Sequence, residues 1–208
     1  KVNAVIHSQE KLAEGIYSMW LDAPEMAKAA VPGQFIAVYT NDQSKLLPRP
    51  ISICEADKEN GRLRIVYRIA GAGTKEFSAY KEGDTLDIMG PLGNGFPLKK
   101  KKAFLIGGGI GIPPMLELAK NLDCEKTAVI GYRDKETFLA DELRKYADVV
   151  IATEDGSVGT KGNVIDAIRA EKLTADIIYA CGPTPMLKAL KTYAMENGIE
   201  CYISLEEK

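Results

Sequence analysis

The chain has 208 residues, with 27 basic and 29 acidic side chains and a formal net charge of −2. Residues 1–98 carry 11 basic and 12 acidic groups and residues 99–208 carry 16 and 17, a balance that argues against a nucleic-acid or anionic-membrane binder. No apolar run reaches the roughly 18–20 residues that span a bilayer, no leader pattern opens the chain, and four cysteines at 54, 124, 181 and 201, without C-x-x-C or metal-ligand spacing, read as reduced thiols of a cytoplasmic protein.

The first half, residues 1–98, reads as β-rich. Short apolar or alternating runs predict strands at Val2–His7, Gly15–Leu21, Gln34–Thr40, Pro50–Glu55, Leu63–Ile69 and Thr85–Met89. Turn residues separate them at Ala23-Pro24, Pro32-Gly33, Asn60-Gly61 and Glu82-Gly83-Asp84. Six such strands predict a small antiparallel β-barrel, interrupted by a short helix at Thr74–Tyr80.

From Lys99 the pattern changes to alternating strands and helices. Strands are predicted at Ala103–Ile106, Thr127–Tyr132, Val149–Ala152, Ile177–Ala180 and Cys201–Ser204, and helices at Pro114–Leu122, Lys135–Tyr146, Val164–Glu171 and Pro185–Asn197. That alternation implies an α/β domain, a doubly wound parallel sheet over residues 99–208 whose ligands sit at the carboxyl ends of its strands. The boundary falls near Pro97–Lys102, where the basic run Lys99–Lys102 reads as a solvated connector.

Four segments carry candidate chemistry. An apolar run enters Gly107-Gly-Gly-Ile-Gly111 and leaves as a helix, an order suited to a nucleotide phosphate because glycine permits close approach and a helix start offers free N–H groups. The form Gly109-x-Gly111-x-x-Pro114 departs from the usual dinucleotide fingerprint, so a purely structural turn stays open. Arg49, between two prolines, offers a charged donor fork suited to a pyrophosphate, and Ser52 a hydroxyl for a heterocycle edge. Strict alternation puts those two on opposite faces, so a shared ligand must lie along an edge or Pro50 must mark a bulge. Gly73 and Thr74 open the short helix after Val66-Tyr67-Arg68, another anion-binding geometry; alternatively Tyr67 is a barrel residue and the glycines only turn the chain. Cys181-Gly182-Pro183 ends the fourth strand of the sheet, where a thiol packs against a planar ring or is simply buried. His7, the only histidine, has no acidic or cysteine companion nearby and reads as structural. No nucleophile–base set or carboxylate pair stands out, whereas hydride or electron transfer by bound cofactors needs none.

Barrel first, nucleotide domain second, with Arg49-Pro-Ile-Ser52, Gly73-Thr74, Gly108-Gly-Ile-Gly-Ile-Pro-Pro114 and Cys181-Gly-Pro183 in that order, the chain resembles the ferredoxin–NADP reductase superfamily. Ile51 in the flavin motif, the Pro113-Pro114 pair, Glu154-Asp-Gly-Ser157 with Lys161-Gly162, and the ending Cys201-Tyr-Ile-Ser-Leu-Glu-Glu-Lys208 make it most similar to the electron-transfer subunits of NAD-linked dihydroorotate dehydrogenases. The resemblance implies FAD, with its pyrophosphate on Arg49, Gly73 and Thr74, Ser52 at the isoalloxazine edge, and Pro50, Ile51, Val66, Tyr67 and Arg68 lining the site. It implies NAD(H) on Gly107, Gly108, Gly109 and Gly111, with the nicotinamide at Cys181, Gly182 and Pro183, so that Ser52 and Cys181 stand nearest the chemistry. It places Glu206 near the flavin. The implied partner is an FMN-containing dihydroorotate dehydrogenase catalytic subunit, in a hetero-oligomer of heterotetramer type. A [2Fe–2S] cluster is expected only in a longer chain, since none of the four cysteines here sits in the family's cluster motif. Arg133 and Asp134 pull opposite ways on NAD against NADP. A subunit of another flavin-dependent ferredoxin or sulfide–NAD(P) oxidoreductase, and a nucleotide-binding module without turnover, remain as alternatives.

Overall fold

In a computed structural model, which describes residues 1–42 and 47–204, the chain divides into two units, Lys1–Gly95 and Phe96–Lys208. Alternation of apolar and polar residues builds the first. Strands β1 (Val2–Ala13), β2 (Ile16–Asp22), β3 (Phe35–Val38), β4 (Arg49–Asp57), β5 (Arg62–Arg68) and β6 (Thr85–Leu92) close a barrel in the order β1-β2-β5-β4-β3-β6, every neighbouring pair antiparallel. Ile6, Met19, Leu21, Ile36, Ile53 and Leu86 fill its interior and are all essentially inaccessible to solvent. Each such side chain contributes about 1.5–3 kcal/mol by leaving water, and closure gives every strand two neighbours.

Three features of this unit depart from the sequence reading. β1 does not stop at His7 but continues through Ser8-Gln-Glu-Lys11, paired to β2 across a register shift between Ile6 and Ser8. Pairing to a neighbour, not alternation, makes those polar residues a strand. Ala23-Pro24 is not a turn but the start of helix α1 (Pro24–Ala29), with proline at the first helical position and Met26 and Ala27 turned into the core. Helix α2 (Ala72–Phe77) begins two residues earlier than expected.

In the second unit β7 (Ala103–Gly108), β8 (Lys126–Tyr132), β9 (Asp148–Thr153), β10 (Thr160–Lys161), β11 (Ile177–Cys181) and β12 (Glu200–Ser204) form a parallel sheet in the order β10-β9-β8-β7-β11-β12. Helices α3 (Pro113–Asn121), α4 (Ala140–Leu143), α5 (Val164–Ala170) and α6 (Thr184–Asn197) complete it. β7 and β11 are buried along their whole length, as interior strands covered on both faces must be, which is why they read as unbroken apolar runs.

The expected helix over Lys135–Tyr146 is reduced to the four residues of α4. The Asp134 carboxylate accepts the Glu136 N–H at 2.9 Å, and Leu139 takes a left-handed φ of 65°; together they hold 134–139 out of a helical path. β10 was not foreseen, being only two residues long. The run Lys99–Lys102 is solvated as read, but its side chains are held in surface ion pairs. Lys99 and Lys101 both bind Glu200, Lys100 binds Asp123 at 3.0 Å and Lys102 binds Glu125 at 2.8 Å. Among the described residues no helix is long and apolar enough to cross a membrane.

Candidate functional site

The barrel unit brings Arg49 to the Gly73 turn. Arg49 and Ile51 point to one side of β4, Pro50 and Ser52 to the other, and the β3–β4 ladder runs through all four with no bulge at Pro50. Ile51 therefore belongs to the barrel core rather than to a ligand. Arg49 lies at the barrel mouth, where a Cβ built on Gly73 would stand 2.8 Å from its Nε and 3.1 Å from its Cζ. Only glycine leaves room for the guanidinium there. Among the described residues the guanidinium donates one hydrogen bond, to the Leu47 carbonyl.

Thr74 plays a different part from the one its hydroxyl suggests. Its Oγ1 accepts the N–H of Ala70 at 2.8 Å and of Gly71 at 3.2 Å, which closes the turn. What the turn offers an anion is backbone, the N–H groups of Gly73 and Thr74 in the first turn of α2, where no intrahelical acceptor exists. A charged fork above open peptide N–H groups, in a space a side chain would close, fits a phosphate or pyrophosphate.

Ser52 lies on the outer face of β4 near the end of that strand's register with β5. The recorded β4–β5 pairing stops at Ile53–Ile65, while β4 continues to Arg49 and β5 to Arg68. Ser52, Val66 and Arg68 thus flank strand edges that part from one another, the edge-on arrangement a ligand touching both Arg49 and Ser52 requires. Arg68 is exposed, and Val66 is buried. Tyr67 corrects the sequence expectation. Its ring lies in the barrel core, stacked on Tyr17 at 5.9 Å and edge-on to Phe77, and its hydroxyl donates to Gln9 Oε1 at 2.7 Å. Burial, with Tyr17 adding to it, holds that phenol well above its ordinary pKa.

In the second unit the strand order reverses between β7 and β11, and a crevice at the carboxyl ends of such strands is where open α/β sheets take ligands. The two predicted motifs leave those ends side by side, since Gly107 pairs with Cys181. Gly111 approaches so closely that a Cβ on it would meet the Cys181 carbonyl oxygen at 2.2 Å and Gly182 Cα at 2.6 Å. Gly108 and Gly182 are both packed under Met186, and Gly182, at φ 154°, has a conformation that side chains rarely adopt. Gly109 takes φ 53° and starts a 3₁₀ turn to Gly111. The helix start is poorer in donors than the sequence reading supposes. Pro113 and Pro114 have no N–H, and the Met115 and Ile112 N–H groups already bond Ile112 and Gly109 carbonyls. What this turn offers an anion is the Gly109–Gly111 backbone. Cys181 is 3 % exposed, at the carboxyl end of β11 and between Gly107 and Ser204.

Arg133 and Asp134 follow β8, and the Arg133 carbonyl accepts the Asp155 N–H at 3.2 Å. Asp155 in turn accepts the Ser157 N–H at 2.9 Å, and bonding to Ser157 holds its carboxyl below the usual range. His7 sits apart, in a depression of the outer barrel with Ser8, Trp20, Asp57 and Arg62. Glu206 lies outside the described residues. All four cysteines are free thiols, and among the described residues no three His, Cys, Asp or Glu side chains gather as metal ligands. Sequence reading missed Gln9, which bonds the end of α2 from 68 and 71 positions away, and Glu76 of α2 itself, which bonds Asn41 35 positions away. No local pattern signals a contact at that separation.

Residues 3–96 match the oxidoreductase FAD-binding domain family. The chain's fold overlays that of an NADH-dependent reduced ferredoxin–NADP oxidoreductase with a TM-score of 0.91 and 32 % identity, over 100 % of this chain and 78 % of that one. Barrel, reversed-order sheet and glycine-lined sites thus define a flavin-dependent oxidoreductase of ferredoxin-reductase type. The electron transfer subunit of dihydroorotate dehydrogenase B (NAD(+)) from Streptococcus mutans serotype c is 44 % identical over 100 % of this chain and 83 % of its own length, and that of Geobacillus sp. (strain WCH70) 42 % over 95 % and 79 %. The chain belongs to the family of dihydroorotate dehydrogenase B (NAD(+)) electron transfer subunits.

Proposed function

We propose that this chain is the flavoprotein subunit of a cytoplasmic dihydroorotate dehydrogenase, paired with an FMN-containing catalytic subunit in a heterotetramer and delivering its electrons to NAD⁺ for pyrimidine biosynthesis. FAD, when bound, supplies the redox chemistry by exchanging a hydride with the nicotinamide. The chain's own residues bind and orient. Arg49 neutralises the pyrophosphate over the Gly73–Thr74 backbone, and Ser52, Val66 and Arg68 border the isoalloxazine edge. The Gly107–Gly111 turn takes the dinucleotide, with Cys181, Gly182 and Pro183 beside the nicotinamide. The observation that carries the reading is the Arg49 guanidinium lying in space that only a glycine at 73 leaves open.

The 32 % identity to a reduced ferredoxin–NADP oxidoreductase chain supports a second reading, a subunit of another flavin-dependent ferredoxin–NAD(P) oxidoreductase. Co-expression with the catalytic subunit separates the two. Dihydroorotate-dependent NAD⁺ reduction is expected, and its absence beside ferredoxin-dependent reduction would favour the second. Arg49→Ala is expected to purify with most of its FAD lost; full yellow occupancy in that variant would remove Arg49 from the assigned role.

A further inference from the structure

Helix α2 has six residues, too few to hold a helical conformation alone, so its place in the barrel unit must be set by side chains that grip it. Gln9 grips its far end. From β1, Gln9 Nε2 donates to the carbonyls of Tyr80 at 2.8 Å and Phe77 at 3.1 Å, while its Oε1 accepts the Tyr67 hydroxyl at 2.7 Å. Two carbonyls and one hydroxyl permit a single orientation of the amide, donors toward α2 and acceptor toward β5. Phe77, fully buried, meets the Tyr67 ring edge-on at 5.9 Å. Glu76 holds the flank, accepting the N–H groups of Asn41 at 2.8 Å and Asp42 at 3.3 Å. At the near end Gly73 faces Arg49.

We infer that Gln9 is a positioning residue for the flavin: by tying the end of α2 to β1 and β5, it fixes the Gly73–Thr74 backbone at the distance from Arg49 that a pyrophosphate needs. The inference rests on the reading that this cradle holds FAD. An amide is the side chain that serves. A carboxylate at 9 would set a negative charge against two carbonyls, and an alkyl group would take the Gln9 partner from the Tyr80 carbonyl and a buried hydroxyl, leaving the Phe77 carbonyl with the Tyr80 N–H at 3.1 Å.

The test is a double-mutant cycle on the full chain, read as FAD affinity of the apoprotein by flavin fluorescence, with apoprotein melting alongside. Gln9→Ala is expected to weaken FAD about tenfold, the size of one to two hydrogen bonds lost, and to add little in an Arg49→Ala background. Full additivity, or unchanged affinity in Gln9→Ala, overturns the positioning role while the FAD reading stands. Unchanged affinity in Arg49→Ala overturns both. Gln9→Glu decides the matter if the alanine variant does not fold. Protonated glutamate donates to a carbonyl as the amide does, so its FAD affinity is expected to rise as pH falls through the carboxyl pKa, relative to the parent. A profile parallel to the parent's overturns the inference.

Discussion

Replacing Gly73 by alanine separates what the barrel unit needs to fold from what it needs to bind. The added methyl would lie 2.8 Å from Arg49 Nε and 3.1 Å from Nη2, well inside the roughly 3.5–4.0 Å at which such atoms attract. The obstacle is the end of a flexible side chain, so Arg49 swings away and the backbone stays. Gly73 has helical company on both sides in α2, and alanine there favours the helix by up to about 1 kcal/mol. On the proposed reading, the displaced guanidinium takes with it a charge-assisted contact to the cofactor phosphate of about 1.5–3 kcal/mol. At about 1.4 kcal/mol per decade, FAD affinity should fall roughly 10- to 150-fold while the apoprotein melts at or slightly above the parent temperature. Titrating apoprotein with FAD and following fluorescence quenching measures the first quantity, and calorimetry the second. FAD affinity equal to the parent's would refute the cradle. A large drop in apoprotein stability would show that Gly73 serves the fold instead.

Gly111→Ala should behave in the opposite way. Its Cβ meets backbone, the Cys181 carbonyl at 2.2 Å and Gly182 Cα at 2.6 Å, so urea unfolding of the second unit should lose about 3 kcal/mol, the upper range for overpacking. Gly109→Ala, strained at φ 53° but with open space around it, should lose about 1–2 kcal/mol; equal losses at the two sites would count against the steric account. Glu200 supplies a pH dependence. Hydrogen bonds from Lys99, then Lys101 and Tyr202, pull its carboxyl from 4.5 to about 2 in the fold. A depressed carboxyl stabilises the fold above its unfolded pKa and loses that contribution on acidification. The stability gap between parent and Glu200→Gln should therefore be constant above pH 4.5 and shrink as pH falls toward 2. A gap independent of pH in acid melts would contradict this.

The sheet unit was nearly legible because its strands are continuous apolar runs and its turns are marked by glycine and proline. β7, α3, β8 and α6 fall within a residue or two of their expected bounds. The reading failed where long-range pairing, or a side chain's bond to nearby backbone, decides. The second half of β1 is polar and becomes a strand only because β2 lies beside it, and the segment before α4 is diverted by an aspartate bonding its own backbone. At the proposed site the motifs pointed to Arg49 and Gly73, which the structure brings together, and to the Gly107–Gly111 turn beside Cys181, but not to which atoms are free to serve. Thr74 Oγ1 is spent on closing its turn, and Tyr67 and Ile51 face the core. Alternation carried enough to place Arg49 and Ser52 on opposite faces, and the ladder through Pro50 keeps them there.

The two glycine sites differ in what glycine excludes, and that difference sorts their roles. In the second unit Gly111 is demanded by peptide atoms of β11's end, which cannot yield without moving a strand; the turn proposed for the nucleotide is thus welded into the sheet, held by the same contacts that fold it. In the barrel unit Gly73 is demanded only by a side chain, Arg49, on a turn that Gln9 and Glu76 hold from behind. The first site is preformed by packing. The second is assembled from hydrogen bonds between residues distant in sequence, so it can lose its ligand to substitutions that leave the barrel intact. A resident cofactor fits such a site, because binding energy then supplies order that the short helix cannot supply for itself.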